Sequence, residues 1–250
     1  MIGLKKSERG TTTLYCFSPP VMIATFIIEI TLAIYVFIKS RKAGSDVGIV
    51  VILVFLAIFQ LSEYQICGGL DALLWSRIGL FAITFLPVLG LYLITKLKKD
   101  SHLLRLGFFV AIAFVTFFVL VPQSVTGATC GGNYVVFDIS HGLSSLYGYY
   151  YFGFMLLGIW EALSGIRTDN VRTMTKKALF WFIIGYLSFI LPLTLVYIFL
   201  PVTRVAITSV MCGFAVIFAF ILTFKIAPIY HKYVKVEPIT KESVRARLKL

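Results

Sequence analysis

Seven apolar runs set the frame for this chain. They cover residues 19–38, 47–66, 72–95, 103–121, 142–163, 178–200 and 204–225. Each is about as long as a helix rising 1.5 Å per residue needs to cross a hydrocarbon core of about 30 Å. Inside lipid every backbone N–H and C=O must be satisfied by the segment or its neighbours. Only helices and closed barrels achieve that, and these runs are far too long for barrel strands. The predicted fold is therefore all-α: one seven-helix transmembrane domain over residues 1–250, with a short basic cytoplasmic tail at 226–250.

Of the 250 residues, 59% are hydrophobic and 14% charged, against about 25% charged in soluble domains. The formal net charge of +12 could serve a nucleic-acid partner, but its placement excludes that. The basic residues cluster in short loops between the runs: Lys39, Arg41 and Lys42; Lys96, Lys98, Lys99 and Arg105; Arg167, Arg172, Lys176 and Lys177; then Lys225 and the tail. All of these fall on one side. The positive-inside rule puts that side in the cytoplasm and the N-terminus outside. The first run alone is balanced, and the later loops decide the orientation. No cleavage site follows that run, and "KSRK" after it reads as stop-transfer. The expected location is the cell membrane, multi-pass, with the lipid bilayer as the first partner.

Ionisable residues inside such runs are costly and point to function or to pairing. Glu63 in "FQLSEYQICGG" and Arg77 on the next run sit at similar depths across a short loop. Two uses are open: an ion-paired clamp between helices 2 and 3, or the polar floor of an outward-facing ligand pocket, with Gln60 one turn away extending the network. Glu29 lies mid-run in "FIIEITLAI" with no basic residue at its depth. It is a candidate proton or cation site. The alternative is a polar contact between helices, with Thr84, Ser188 or Thr194 as partner.

The fifth run, "HGLSSLYGYYYFGFMLLGIW", adds Tyr147 and Tyr151 on one face as candidate ligand-binding residues. A packing seam with an interfacial aromatic belt is the alternative, and Tyr149 and Tyr150 are expected to point elsewhere. Asp138 and Ser140 precede this run as candidate helix caps. The segment 122–141 is read either as a lid or as a plain connecting turn.

Cys16, Cys67 and Cys130 lie on the outer side. A Cys67–Cys130 disulfide suits an oxidising exterior, with Cys16 left free or replacing either partner. A metal site from these cysteines and His141 lacks the usual ligand spacing. No phosphate loop, GxSxG or HExxH occurs, the three histidines are scattered, and Lys225 lies too near the cytoplasm to carry a retinal. No cofactor and no catalytic set are expected.

"CFSPP" (Cys16, Phe17, Ser18) with "FQLSE" (Phe59, Gln60, Glu63) resembles a family of small uncharacterised prokaryotic membrane proteins that carry a CFS start and a Q-x-x-E in helix 2. "LLWSRIGLFAITFLPVLGLYLI" (Trp75, Arg77, Gly79, Pro87) more distantly resembles helix 3 of the seven-helix sensor module of prokaryotic histidine kinases. That resemblance implies a receptor-like sensor. From the residues themselves, the expected ligand is a small molecule or lipid held in an outward-facing pocket floored by Glu63 and Arg77, with Gln60, Tyr147 and Tyr151 as further binding residues. No kinase or cyclase follows the helices, so signalling is expected to pass to a separate cytoplasmic partner. The alternatives are a small-molecule or proton-coupled transporter using Glu29, and an intramembrane lipid-modifying enzyme.

Overall fold

The structure, a computed structural model, describes residues 4–6, 12–14, 18–43, 47–98, 102–131, 134–168, 172–199 and 207–232. The described residues include seven α-helices: α1 (Pro19–Ala43), α2 (Gly48–Cys67), α3 (Ala72–Lys98), α4 (His102–Leu120), α5 (His141–Arg167), α6 (Thr173–Phe199) and α7 (Ile207–Ile221). Two antiparallel hairpins accompany them, β1 (Leu4–Lys6) with β2 (Thr12–Leu14), and β3 (Val125–Cys130) with β4 (Val135–Ile139).

Six helices are long and apolar enough to cross a membrane, as in a multi-pass membrane protein. The exception is α5. At 27 residues it is as long as α3, but its serines, glycines and tyrosines, with Glu161 near its end, make it less apolar. Side chains such as Phe109, Leu120, Leu156 and Phe199 point outward from the bundle. So much exposed apolar surface is unfavourable in water and natural against lipid.

Local chemistry explains the helix ends. Pro19 and Pro20 occupy the first turn of α1, where a missing N–H costs nothing. Gly69 (φ 79°) turns the chain out of α2. Asp71 then caps α3, its Oδ1 accepting the Leu73 and Leu74 amides at 3.0 Å. At the far end α7 widens into a π-helical turn, Leu222–Ile226, before the helix resumes to residue 232. The segment expected as a cytoplasmic tail from 226 thus begins as helix. Residues 233–250 lie outside the described residues, as do Cys16 and the start of the seventh apolar run.

At the centre, α3 packs against α2, α4, α5 and α6, while α1 touches both α2 and α7 and closes the bundle. The α2–α3 contact is tight because Gly79 has no side chain. A Cβ there would collide with Ser62 Oγ. One end of the bundle carries the β3–β4 hairpin. Phe137 of β4 lays its ring against Phe59 of α2, centroids 5.6 Å apart. Met22, Ile66 and Val135 make a small apolar cluster beneath the hairpin. Cys67 and Cys130 are joined by a disulfide that ties the hairpin to the end of α2. The segment 122–141 is thus a pinned hairpin rather than an unstructured turn. The opposite end carries the basic residues.

Neither expected cap of α5 forms. Ser140 occupies the N-cap position without a side-chain bond, and Asp138 is drawn into strand β4.

Candidate functional site

Helix α1 buries one stripe, Met22, Thr25, Glu29, Leu32, Ala33, Val36 and Ser40, with the spacing of a single helix face. Glu29 is therefore turned inward by the same periodicity that buries its apolar neighbours. It is 0% exposed, and neither carboxylate oxygen meets a hydrogen-bond partner among the described residues. On α2, Gln60 and Glu63 are 2% and 1% exposed. Glu29 and Glu63 lie about 21–23 Å along their helices from the α1–α2 turn, at about 1.5 Å per residue. The two acids therefore sit at a similar level on neighbouring helices. Gln60, one turn from Glu63, leaves its Nε2 without a partner.

The expected pairing of Glu63 with Arg77 is corrected here. Among the described residues the two form no ion pair. The reason is rotational. Ser62 is the α2 side chain that meets α3 at Gly79, and the next residue points about 100° away around the helix. The half-buried Arg77 keeps its Nε unbonded. Nor does Glu29 reach the hydroxyls proposed for it. Thr84 bonds to Leu80 O and to the Tyr147 hydroxyl, Ser188 to Gly185 O, and Thr194 to Ile190 O.

A second polar feature surrounds Thr84. The Tyr147 hydroxyl lies 3.1 Å from Thr84 Oγ1, and the Tyr150 hydroxyl donates to Thr84 O at 2.6 Å. Tyr150 thus faces the core beside Tyr147 and Tyr151, contrary to expectation, because i and i+3 share a helix face. Tyr149, at 80% exposed, points outward as expected. Three residues further along α3, Pro87 removes a backbone donor and frees the carbonyl of Ile83. Next to it lies a cavity of about 20 Å³, lined by Leu56 of α2, Pro87 of α3, Tyr151 and Met155 of α5, Tyr186 of α6 and Phe218 of α7, among others. Glu63, Gln60 and Arg77 are not among its lining residues. Tyr186 is 3% exposed and its hydroxyl has no hydrogen-bond partner among the described residues. The ring fits because Gly90 carries no Cβ, which would strike that hydroxyl.

At the basic end several polar groups do find partners. Lys98 of α3 forms an ion pair with Glu161 of α5 and donates to Ser164 Oγ at 2.6 Å. Ser40 Oγ of α1 meets His231 Nε2 at 3.0 Å, joining the first and last described helices. Lys225, in the π-helical turn, sits 5.2 Å from the centre of the Trp181 ring. Glu161 and Tyr186 are the residues that sequence reasoning missed. Counting depth from the basic loops places Glu161 level with Lys98, as counting from the α1–α2 turn places Glu29 level with Glu63. Tyr186 carried no such signal. Comparison with known proteins finds no family model and no curated protein that matches this chain.

Proposed function

We propose that this protein is a receptor-like seven-helix sensor of the prokaryotic cell membrane, N-terminus outside and C-terminus in the cytoplasm. In this reading α5 is the seventh span, its tyrosines sheltered by α3 and α6. The β3–β4 hairpin covers the outer end. The ligand is a small, mainly apolar molecule or a lipid chain carrying one polar group. The observation that carries the reading is the cavity beside Pro87, where five helices meet and the Tyr186 hydroxyl has no hydrogen-bond partner among the described residues. Apolar walls with a few convergent polar groups are the usual make-up of a ligand site.

At about 20 Å³ the cavity holds little more than a water molecule. A ligand must therefore part the helices. Pro87 in α3, Pro192 in α6 and the π-helical turn in α7 supply points at which each can yield. Coupling ligand entry to helix movement is what a signalling protein needs. The basic inner loops then offer a docking face for a cytoplasmic partner or anionic lipid.

The test is a thermal-shift screen of the full chain in nanodiscs against short-chain alcohols, fatty acids and aromatic alcohols. A hit is expected to raise Tm, and Leu56→Trp, which fills the cavity, should abolish the shift. Liposome assays should show no transport of the same compound. Concentrative flux would replace the sensor with a carrier, the reading that the buried Glu29 favours.

A further inference from the structure

We propose that the cavity beside Pro87 takes a ligand whose polar group is an uncharged carbonyl, a ketone or an ester, and that the Tyr186 hydroxyl donates to it. The proposal rests on the reading of that cavity as a ligand site and gives the ligand its chemical class. Tyr186 lines the cavity, is 3% exposed, and its hydroxyl has no hydrogen-bond partner among the described residues. Two glycines make room for it. A Cβ on Gly90 of α3 would strike the hydroxyl oxygen, and one on Gly158 of α5 would press on the ring. Pro87 and Met155 lie three residues before these glycines on the same two helices, and both line the cavity. Residues three apart share a helix face, so the hydroxyl stands about one turn beyond those two walls. A phenylalanine ring would fill the same place without a polar atom to satisfy.

The described residues supply no acceptor for this O–H. The carbonyl that Pro87 frees is that of Ile83, seven residues before Gly90 and so about 10 Å away along α3. What the hydroxyl lacks is an acceptor, and its surroundings decide which kind. Apart from Tyr151 and Tyr186, the lining side chains are aliphatic, aromatic or, in Met155, a thioether, and none is charged. A water molecule would accept the bond but bring two O–H donors of its own against these walls. An alcohol would bring one. Each donor left unpaired in apolar surroundings is costly. A carboxylate accepts strongly but would bury a charge with no cation in the wall. An alkane leaves the hydroxyl as it was. A carbonyl accepts the bond and adds neither donor nor charge.

The experiment is a thermal-shift titration of the full chain in nanodiscs with four compounds of one chain length: 2-octanone, 2-octanol, octane and, at neutral pH, octanoate. They are compared at equal membrane concentration. 2-Octanone should bind tightest, and Leu56→Trp should abolish its shift. Tyr186→Phe should weaken 2-octanone about tenfold, the equivalent of one hydrogen bond, and leave octane unchanged. ¹³C NMR of 2-octanone labelled at its carbonyl reads the bond itself. The bound resonance should move downfield in the unmodified protein and not in Tyr186→Phe. Any of the other three compounds binding as tightly as 2-octanone would overturn the carbonyl and leave the cavity as a ligand site. A ketone affinity unchanged in Tyr186→Phe would do the same. Failure of all four to raise Tm would overturn the ligand site together with this inference.

Discussion

Two carboxylates in this bundle meet opposite fates. At the basic end Glu161 has an ion-pair partner in Lys98, which also bonds Ser164. In the middle of α1, Glu29 is more deeply buried and has no bonded neighbour among the described residues. The first arrangement is glue: it joins α3 to α5 and satisfies its own groups. The second lowers stability as it stands. Burial of an acid therefore says little until its partner is known.

The largest effect should come from the end opposite Glu161. Cys67→Ser removes the covalent tie between α2 and the β3–β4 hairpin. A loss of about 2–5 kcal/mol is expected, the range for native disulfides. Chemical denaturation of oxidised and reduced protein checks it, and equal stability would mean that the hairpin holds by packing alone.

The sharper test sets the two acids side by side. Glu161→Gln should cost about 1–3 kcal/mol, because it leaves Lys98 partly buried without its counter-charge. Glu29→Gln should change stability in the other direction, by about 1–3 kcal/mol, since it removes a buried acid that has no hydrogen-bond partner among the described residues. Opposite signs in paired thermal melts sustain the contrast between a satisfied and an unsatisfied acid. The same sign for both would erase it.

The smallest effects concern two buried tyrosines. Tyr150→Phe removes a bond to Thr84 O and should cost about 1 kcal/mol or less. Tyr186→Phe removes a hydroxyl that makes no bond among the described residues. It should leave the unliganded protein unchanged and weaken any ligand found for the cavity.

The disulfide pair, the inward turn of Glu29 and the outward turn of Tyr149 were all legible in the residues. Each depends on one helix or on one compartment. The Glu63–Arg77 clamp failed for a specific reason. Depth was read correctly from the loop, but depth is only one coordinate. Which way α2 is rotated depends on Gly79 admitting Ser62, and that is a property of two helices together. Tyr150 was misplaced for the same cause.

The sequence by itself determined that this chain is helical, largely apolar and built to cross a membrane several times. Those are consequences of segment length, hydropathy and the need to satisfy backbone groups without water. Tertiary structure alone decided the partners: Lys98 for Glu161 and Thr84 for two tyrosines. Lipid-facing and core-facing surfaces are both apolar here, so hydropathy cannot rank the faces of a helix. Only the close approach of small residues and the bonding of the few polar groups can do that.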